Sequence, residues 1–208
     1  MTDSEIQIRF LTVEDAAEWW GLRLEALQQN PEAFSSSAEE HLSLSLEEVG
    51  KRLVSPDGDS FVVGAFEGGR LLGMAGFYRE KGLKSRHKGR VWGVYLTRSK
   101  RGTGIAVRML NTLLQRAAAI DGVEQILLSV TTSQTAAARL YRSLGFESFG
   151  CEPKALKIGN QFLDEEYMVL ALKPSETSAG TKEKAPSTFQ SRTPRQPSPR
   201  TAKPRSGS

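Results

Sequence analysis

Residues 101–106 read Arg101, Gly102, Thr103, Gly104, Ile105 and Ala106, between an apolar strand-like run and a helix-like one. Glycines at this spacing let a backbone turn tightly and approach a ligand with no Cβ in the way. The helix that follows offers unpaired N–H groups and the positive end of its dipole. Together these suit a phosphate or a pyrophosphate. Arg98, Lys100 and Arg101 add cationic charge at the same end. The same residues also fit a plain turn before a helix, so the glycine pair alone does not separate the two readings.

Two other phosphate-binding loops can be set aside. A P-loop needs Lys and then Ser or Thr directly after its last glycine, but Ile105 and Ala106 follow Gly104. A dinucleotide fingerprint needs a third Gly or Ala three residues after Gly104, where Val107 stands. It also needs an acid at the end of the next strand, and Glu124 lies at that strand's beginning.

The elements that must position this loop alternate between strand and helix. Residues 6–10 alternate apolar and polar, as a half-buried strand does. Ala16, Trp19, Trp20, Leu24 and Leu27 recur at helical spacing, and Asn30-Pro31 stops that helix. A second helix is expected from about Ser45 to Leu53. Strands follow at residues 61–66 and 71–78 across the turn Glu67-Gly68-Gly69-Arg70, and another at 90–96. The helix after the loop carries Ile105, Met109, Leu110, Leu113, Leu114 and Ala117. A strand at 125–130, a helix at about 134–144 and strands at 146–151 and 162–172 complete the order β-α-α-β-β-β-α-β-α-β-β. That is one α/β domain, assigned to residues 1–173.

Composition bounds the remaining classes. A chain of 208 residues with 38% hydrophobic content can bury a core. No apolar run approaches the roughly 18–20 residues that span a bilayer, and residues 1–5 lack the features of a signal peptide. A single cysteine, Cys151, cannot form an internal disulfide, so a cytoplasmic protein is expected. Two histidines and one cysteine argue against a structural metal. The net charge of +4 divides unevenly. Residues 174–208 hold seven basic and two acidic residues and six of the nine prolines, leaving 21 basic against 22 acidic before them. Such a segment buries too little apolar surface to fold and is expected to be a disordered basic tail. It offers the only route to nucleic acid, by charge alone.

Val94, Tyr95 and Leu96 followed by Arg101-x-x-Gly104-x-Ala106 resemble the acetyl-CoA signature of the GNAT superfamily of N-acetyltransferases, Arg/Gln-x-x-Gly-x-Gly/Ala. About 35 residues on, Ala137-x-x-Leu140-Tyr141-x-x-x-Gly145-Phe146 is similar to the superfamily's second signature. Two signatures in order are far more specific than either alone. The resemblance covers roughly residues 5–172. Residues 88–96 and 164–168 further resemble a bacterial ribosomal-protein-acetyltransferase-like branch.

The resemblance implies a mixed central sheet of about seven strands with about four helices, and acetyl-CoA as co-substrate with no metal. Backbone amides of Arg101, Gly102, Thr103, Gly104, Ile105 and Ala106 would hold the pyrophosphate. The strand Val94-Tyr95-Leu96 would pair with the pantetheine arm in a gap left where it splays from the strand at 125–130. An amide near Val94, aimed by a bulge at Gly93, would polarise the thioester carbonyl. Tyr141 would be the general acid toward the departing thiolate. The same tyrosine also suits plain packing of its helix. Gln134 stands where the superfamily usually has Asn, keeping the amide but adding a methylene.

The amine acceptor, a protein N-terminus, a lysine or a small amine, stays open. So does the general base, for which Glu39, Glu40, His41, His87, Asp164 and Glu165 are candidates. Monomer and homodimer are equally compatible with the sequence. A coenzyme A sensor without catalysis, and a nucleic-acid-associated protein acting through the tail, are the alternatives.

Overall fold

The structure, a computed structural model, describes residues 5–172. The strands are β1 (Gln7–Phe10), β2 (Ser60–Glu67), β3 (Arg70–Arg79), β4 (Lys88–Leu96), β5 (Gln125–Thr131), β6 (Glu147–Ile158) and β7 (Gln161–Ala171). The helices are α1 (Ala16–Gln29), α2 (Ala38–Leu42), α3 (Leu46–Leu53), α4 (Ile105–Ala118) and α5 (Thr135–Ser143). All seven strands form one mixed sheet in the order β1-β2-β3-β4-β5-β7-β6. Every neighbouring pair is antiparallel except β4 and β5. The mixed seven-stranded sheet is the one expected. The short α2 was not expected; its start is a reciprocal cap between Ser37 and Glu40.

Strand alternation divides the core between the two sheet faces. Val63, Ala65, Ala75 and Phe77 pack with Met109, Leu110 and Leu113 of α4. Val62, Phe66 and Met74 pack with Trp19, Leu22 and Ala26 of α1 and Val49 and Leu53 of α3. The buried face of α1 differs from the sequence reading. Leu22, Arg23 and Ala26 are buried between Trp19 and Leu27, while Trp20 and Leu24 are only half-buried. β6 runs to Ile158, seven residues past the expected end, as an edge strand with almost no buried side chain.

Two local features shape the middle of the sheet. β4 and β5 pair only at Lys88↔Gln125, Gly89↔Ile126 and Arg90↔Leu127. Beyond that β4 stays with β3 as far as Leu96, and β5 stays with β7 as far as Thr131. The two parallel strands therefore part toward their carboxyl ends. Within β4, the register against β3 slips so that Gly93 and Val94 lie opposite Ala75 alone. Gly93 has φ 63, a left-handed value that suits glycine and produces the bulge expected there. Residues 174–208, with their expected disorder and nucleic-acid role, lie outside the described residues.

Candidate active site

The parting of β4 and β5 opens a cleft of about 440 Å³, within the range of small-molecule sites. Val94, Tyr95 and Leu96 line one wall, and Ser129 and Val130 the other. Arg101, Gly102, Gly104 and Ala106 stand at one end, with Gln134 and Tyr141 from α5. Of the eleven residues assigned to the cofactor and to catalysis, Thr103 and Ile105 do not line it. Ile105 points into the core and is 5% exposed. Thr103 donates its hydroxyl to the Lys100 carbonyl at 2.6 Å.

The loop before α4 takes its shape from its glycines. Gly102 and Gly104 have φ 78 and 80, and a Cβ at either would meet nothing within 4 Å. The space in front of them is open. Among the described residues, the amides of residues 102–107 donate no hydrogen bond; the first amide with a partner is that of Arg108, to the Gly104 carbonyl at 3.1 Å. Six consecutive N–H groups thus stand without partners at the start of α4, an anion-binding arrangement.

The cations around this loop are less available than their number suggests. Lys100 is paired with Glu67 at 2.7 Å. Arg101 turns back, donating from Nε to the Leu96 carbonyl at 3.0 Å and from Nη2 to Asn30 Oδ1 at 2.9 Å. Arg98 is exposed. The main chain, rather than side-chain charge, dominates this end.

Tyr141 is buried and meets Phe146 edge-on at 6.1 Å. Burial holds its phenol well above the ordinary value, so the hydroxyl keeps its proton at neutral pH. Tyr95 donates its hydroxyl to Glu25 Oε1 at 2.9 Å, with Gln29 Oε1 at 3.2 Å. Burial first, and then that bond, pushes its phenol up to about 12.

Segment 30–34, between α1 and α2, touches both sides of the cleft. Asn30 holds Arg101 on the β4 side. The Glu32 carbonyl accepts from Thr131 Oγ1 at 2.9 Å, and its carboxylate accepts from Gln134 Nε2 at 3.0 Å. Ala33 and Phe34 line the cleft. The sequence placed an acceptor groove around residues 33–44, which includes Ala33 and Phe34, but did not mark Asn30 or Glu32, because each of those meets its partner only after the chain has folded.

The six candidates for a general base are placed elsewhere. His41 is buried against Trp19 and Trp20, its Nε2 2.9 Å from the Trp20 carbonyl. Burial lowers its pKa. Glu40 caps α2, and Asp164 accepts from the Lys154 amide at 2.7 Å. None of the six, Glu39, His87 and Glu165 included, lines the cleft.

This fold, with a helix start opening onto a parted strand pair, defines a protein class that sequence comparison identifies. The chain belongs to the acetyltransferase (GNAT) family, whose sequence profile matches residues 19–146. A curated relative, the L-methionine sulfoximine/L-methionine sulfone acetyltransferase of Pseudomonas aeruginosa, is 32% identical over 85 residues. That stretch is 41% of this chain and 49% of the relative, so the match spans about half the length of the curated protein. Among solved structures, the acetyltransferase of GNAT family from Streptococcus pneumoniae superposes with a TM-score of 0.73 at 23% identity, covering 81% of this chain and 100% of that one. The GNAT superfamily phosphinothricin acetyltransferase from Sinorhizobium meliloti, solved in complex with AcCoA, gives 0.70 at 20% identity, covering 85% and 94%. At these identities the likeness to solved structures establishes the fold.

Proposed function

We propose that the protein moves the acetyl group of acetyl-CoA to a primary amine by direct attack within a ternary complex. The observation that carries this reading is the row of partnerless amides at residues 102–107, at the mouth of the β4–β5 gap. The residues present fit the co-substrate. The amides supply donors for a pyrophosphate, the two glycines leave room for it, and the gap exposes strand edges to an amide-bearing arm. Acetyl-CoA, when bound, supplies an acyl group activated as a thioester.

The chain's own residues then have these tasks. The amides of Gly102 to Ala106 hold the diphosphate. Val94, Tyr95 and Leu96 align the arm, and the bulge at Gly93 aims a main-chain donor at the carbonyl oxygen. Tyr141 keeps a proton on its hydroxyl and delivers it to sulfur as the carbon–sulfur bond breaks and the nitrogen–carbon bond forms. The attacking nitrogen gives up one proton to water and Tyr141 regains one from water, so protons and charge balance. Holding amine and acyl group together supplies much of the acceleration. Gln134 joins the cofactor contacts by releasing Glu32.

Support for acetyl-CoA comes from the shared fold of a neighbour solved with it. The acceptor is a protein amine or a small amine. The ribosomal-protein-acetyltransferase-like branch stays part of this proposal, resting on residues 88–96 and 164–168. Titration calorimetry with acetyl-CoA tests the cradle, and release of free thiol against a panel of amines tests transfer. Absence of acetyl-CoA binding by the folded protein would falsify the reading.

A further inference from the structure

One charged side chain beside the cleft has no task in acetyl transfer. Arg23 lies on α1 and is 7% exposed. Its Nη1 is fully enclosed, with no hydrogen-bond partner among the described residues. The guanidinium carbon sits 4.4 Å from the centre of the Phe34 ring. Nη1 is 3.5 Å from the point a Cβ on Gly93 would occupy. Phe34 and Gly93 both line the cleft. The guanidinium therefore stands directly behind the cleft wall, at the bulge assigned to the reacting carbonyl.

A buried cation needs a counter-charge or a set of acceptors. Here it has an aromatic face, which offsets only part of that cost. Its charged neighbours are themselves cationic. Burial, and then the charge of Arg52, pulls its pKa to about 10, so it stays protonated at neutral pH. His41 lies close enough to feel its charge as well. No carboxylate of the described residues pairs with it. A planar fork of donors in this state matches a carboxylate, which supplies both the charge and two parallel acceptors.

We propose that Arg23 is the anion-recognition residue of the acceptor site, and that the acceptor is a primary amine carrying a carboxylate a few bonds from its nitrogen, as in a free amino acid. This rests on the acetyl-transfer reading. Gly93 serves twice: its left-handed backbone makes the bulge, and it sets no side chain against Nη1 on that side. The acceptor's carboxylate takes the place of the Phe34 ring, half-buried on segment 30–34, against the guanidinium. The amine then lies beside the bulge, where attack on the acyl carbon occurs.

The test uses the full chain with saturating acetyl-CoA and follows thiol release. The acceptors are the common L-amino acids and L-methionine sulfone, each beside its carboxamide. At least one acid is expected to exceed its carboxamide about 100-fold in kcat/KM, the scale for losing one partner of a buried charge pair. Arg23→Met should collapse that ratio to near unity, chiefly by raising KM for the acid. Arg23→Lys should restore part of it. Acetyl-CoA affinity, read by calorimetry, should be unaltered in both. If carboxamides react as well as acids in the wild type, or if Arg23→Met keeps the preference, the assignment is wrong. Should Arg23→Met not fold, the wild-type comparison decides alone. If acetyl-CoA binds but no acid reacts, Arg23 loses this role while the cofactor assignment stands. If acetyl-CoA does not bind, the acetyl-transfer reading fails and this inference fails with it.

Discussion

The two ends of the cleft are built from different materials. The end at α4 is made of main chain: six neighbouring amides, two left-handed glycines and the edges of two parting strands. The end at α1 is lined by the side chains of Phe34 and Trp92 beside the Gly93 bulge, with the Arg23 guanidinium against the Phe34 ring. Main-chain donors present a fixed geometry that depends little on residue type beyond glycine. That suits a ligand every member of a family shares. Side chains change with a single substitution, and that suits a ligand that differs from one member to the next. On the proposed reading, cofactor and acceptor recognition are separable in this molecule, and that division is open to direct attack.

Gly104→Val should have the largest effect. A β-branched residue at φ 80 is strained, and its methyl groups fill the space before the amides. We expect acetyl-CoA affinity in calorimetry to fall at least about 100-fold, or by about 2.7 kcal/mol or more. Retained affinity would break the division at its main-chain end. Leu113→Ala comes next. Leu113 is fully buried under the sheet on α4, and its truncation should cost about 2–5 kcal/mol in denaturant unfolding. A loss below about 1 kcal/mol would mean that α4 is less firmly seated than its packing indicates.

Tyr141→Phe should lower kcat about 100-fold, the low end for a general acid, with acetyl-CoA affinity preserved. Equal turnover would leave Tyr141 as packing only, against Phe146. The smallest effect concerns pH. The Tyr95 phenol lies at about 12 in the folded chain against an ordinary 10.0. A raised pKa means the folded state holds its proton more tightly. The stability this contributes is complete below about pH 10 and is lost as pH rises toward 12. Tyr95→Phe should therefore show a shallower drop in thermal midpoint across that window, and identical slopes would remove Tyr95 from the balance.

Much of the α4 end of the cleft was legible because its determinants are local. The glycine pair, the strand before it and the helix after it lie within thirty-one residues, from Lys88 to Ala118. The bulge at Gly93 was expected from the family resemblance, which places a main-chain donor near Val94. The misreadings have equally local causes. The repeat of Trp19, Trp20, Leu24 and Leu27 suggested one face for α1, yet Leu22, Arg23 and Ala26 are buried, since α1 packs against both the sheet and α3. The far half of β6 carries no apolar alternation, because almost nothing there is buried, and Lys154 at φ 56 interrupts its register against β7. The capped turn of α2 was too short for its periodicity to register.

The amino-acid sequence by itself determined the order of the seven strands, the glycine loop before α4 and the family pattern, because each depends on residues a few positions apart acting through backbone geometry. The tertiary structure alone decided which side chains meet across the gap. Asn30 and Arg101 are 71 residues apart and Glu32 and Gln134 are 102 apart, and only the packed sheet brings them within hydrogen-bond reach. It likewise made Arg23 special, since an arginine on an amphipathic helix becomes a buried, uncompensated charge only when Phe34 and the β4 bulge close around it.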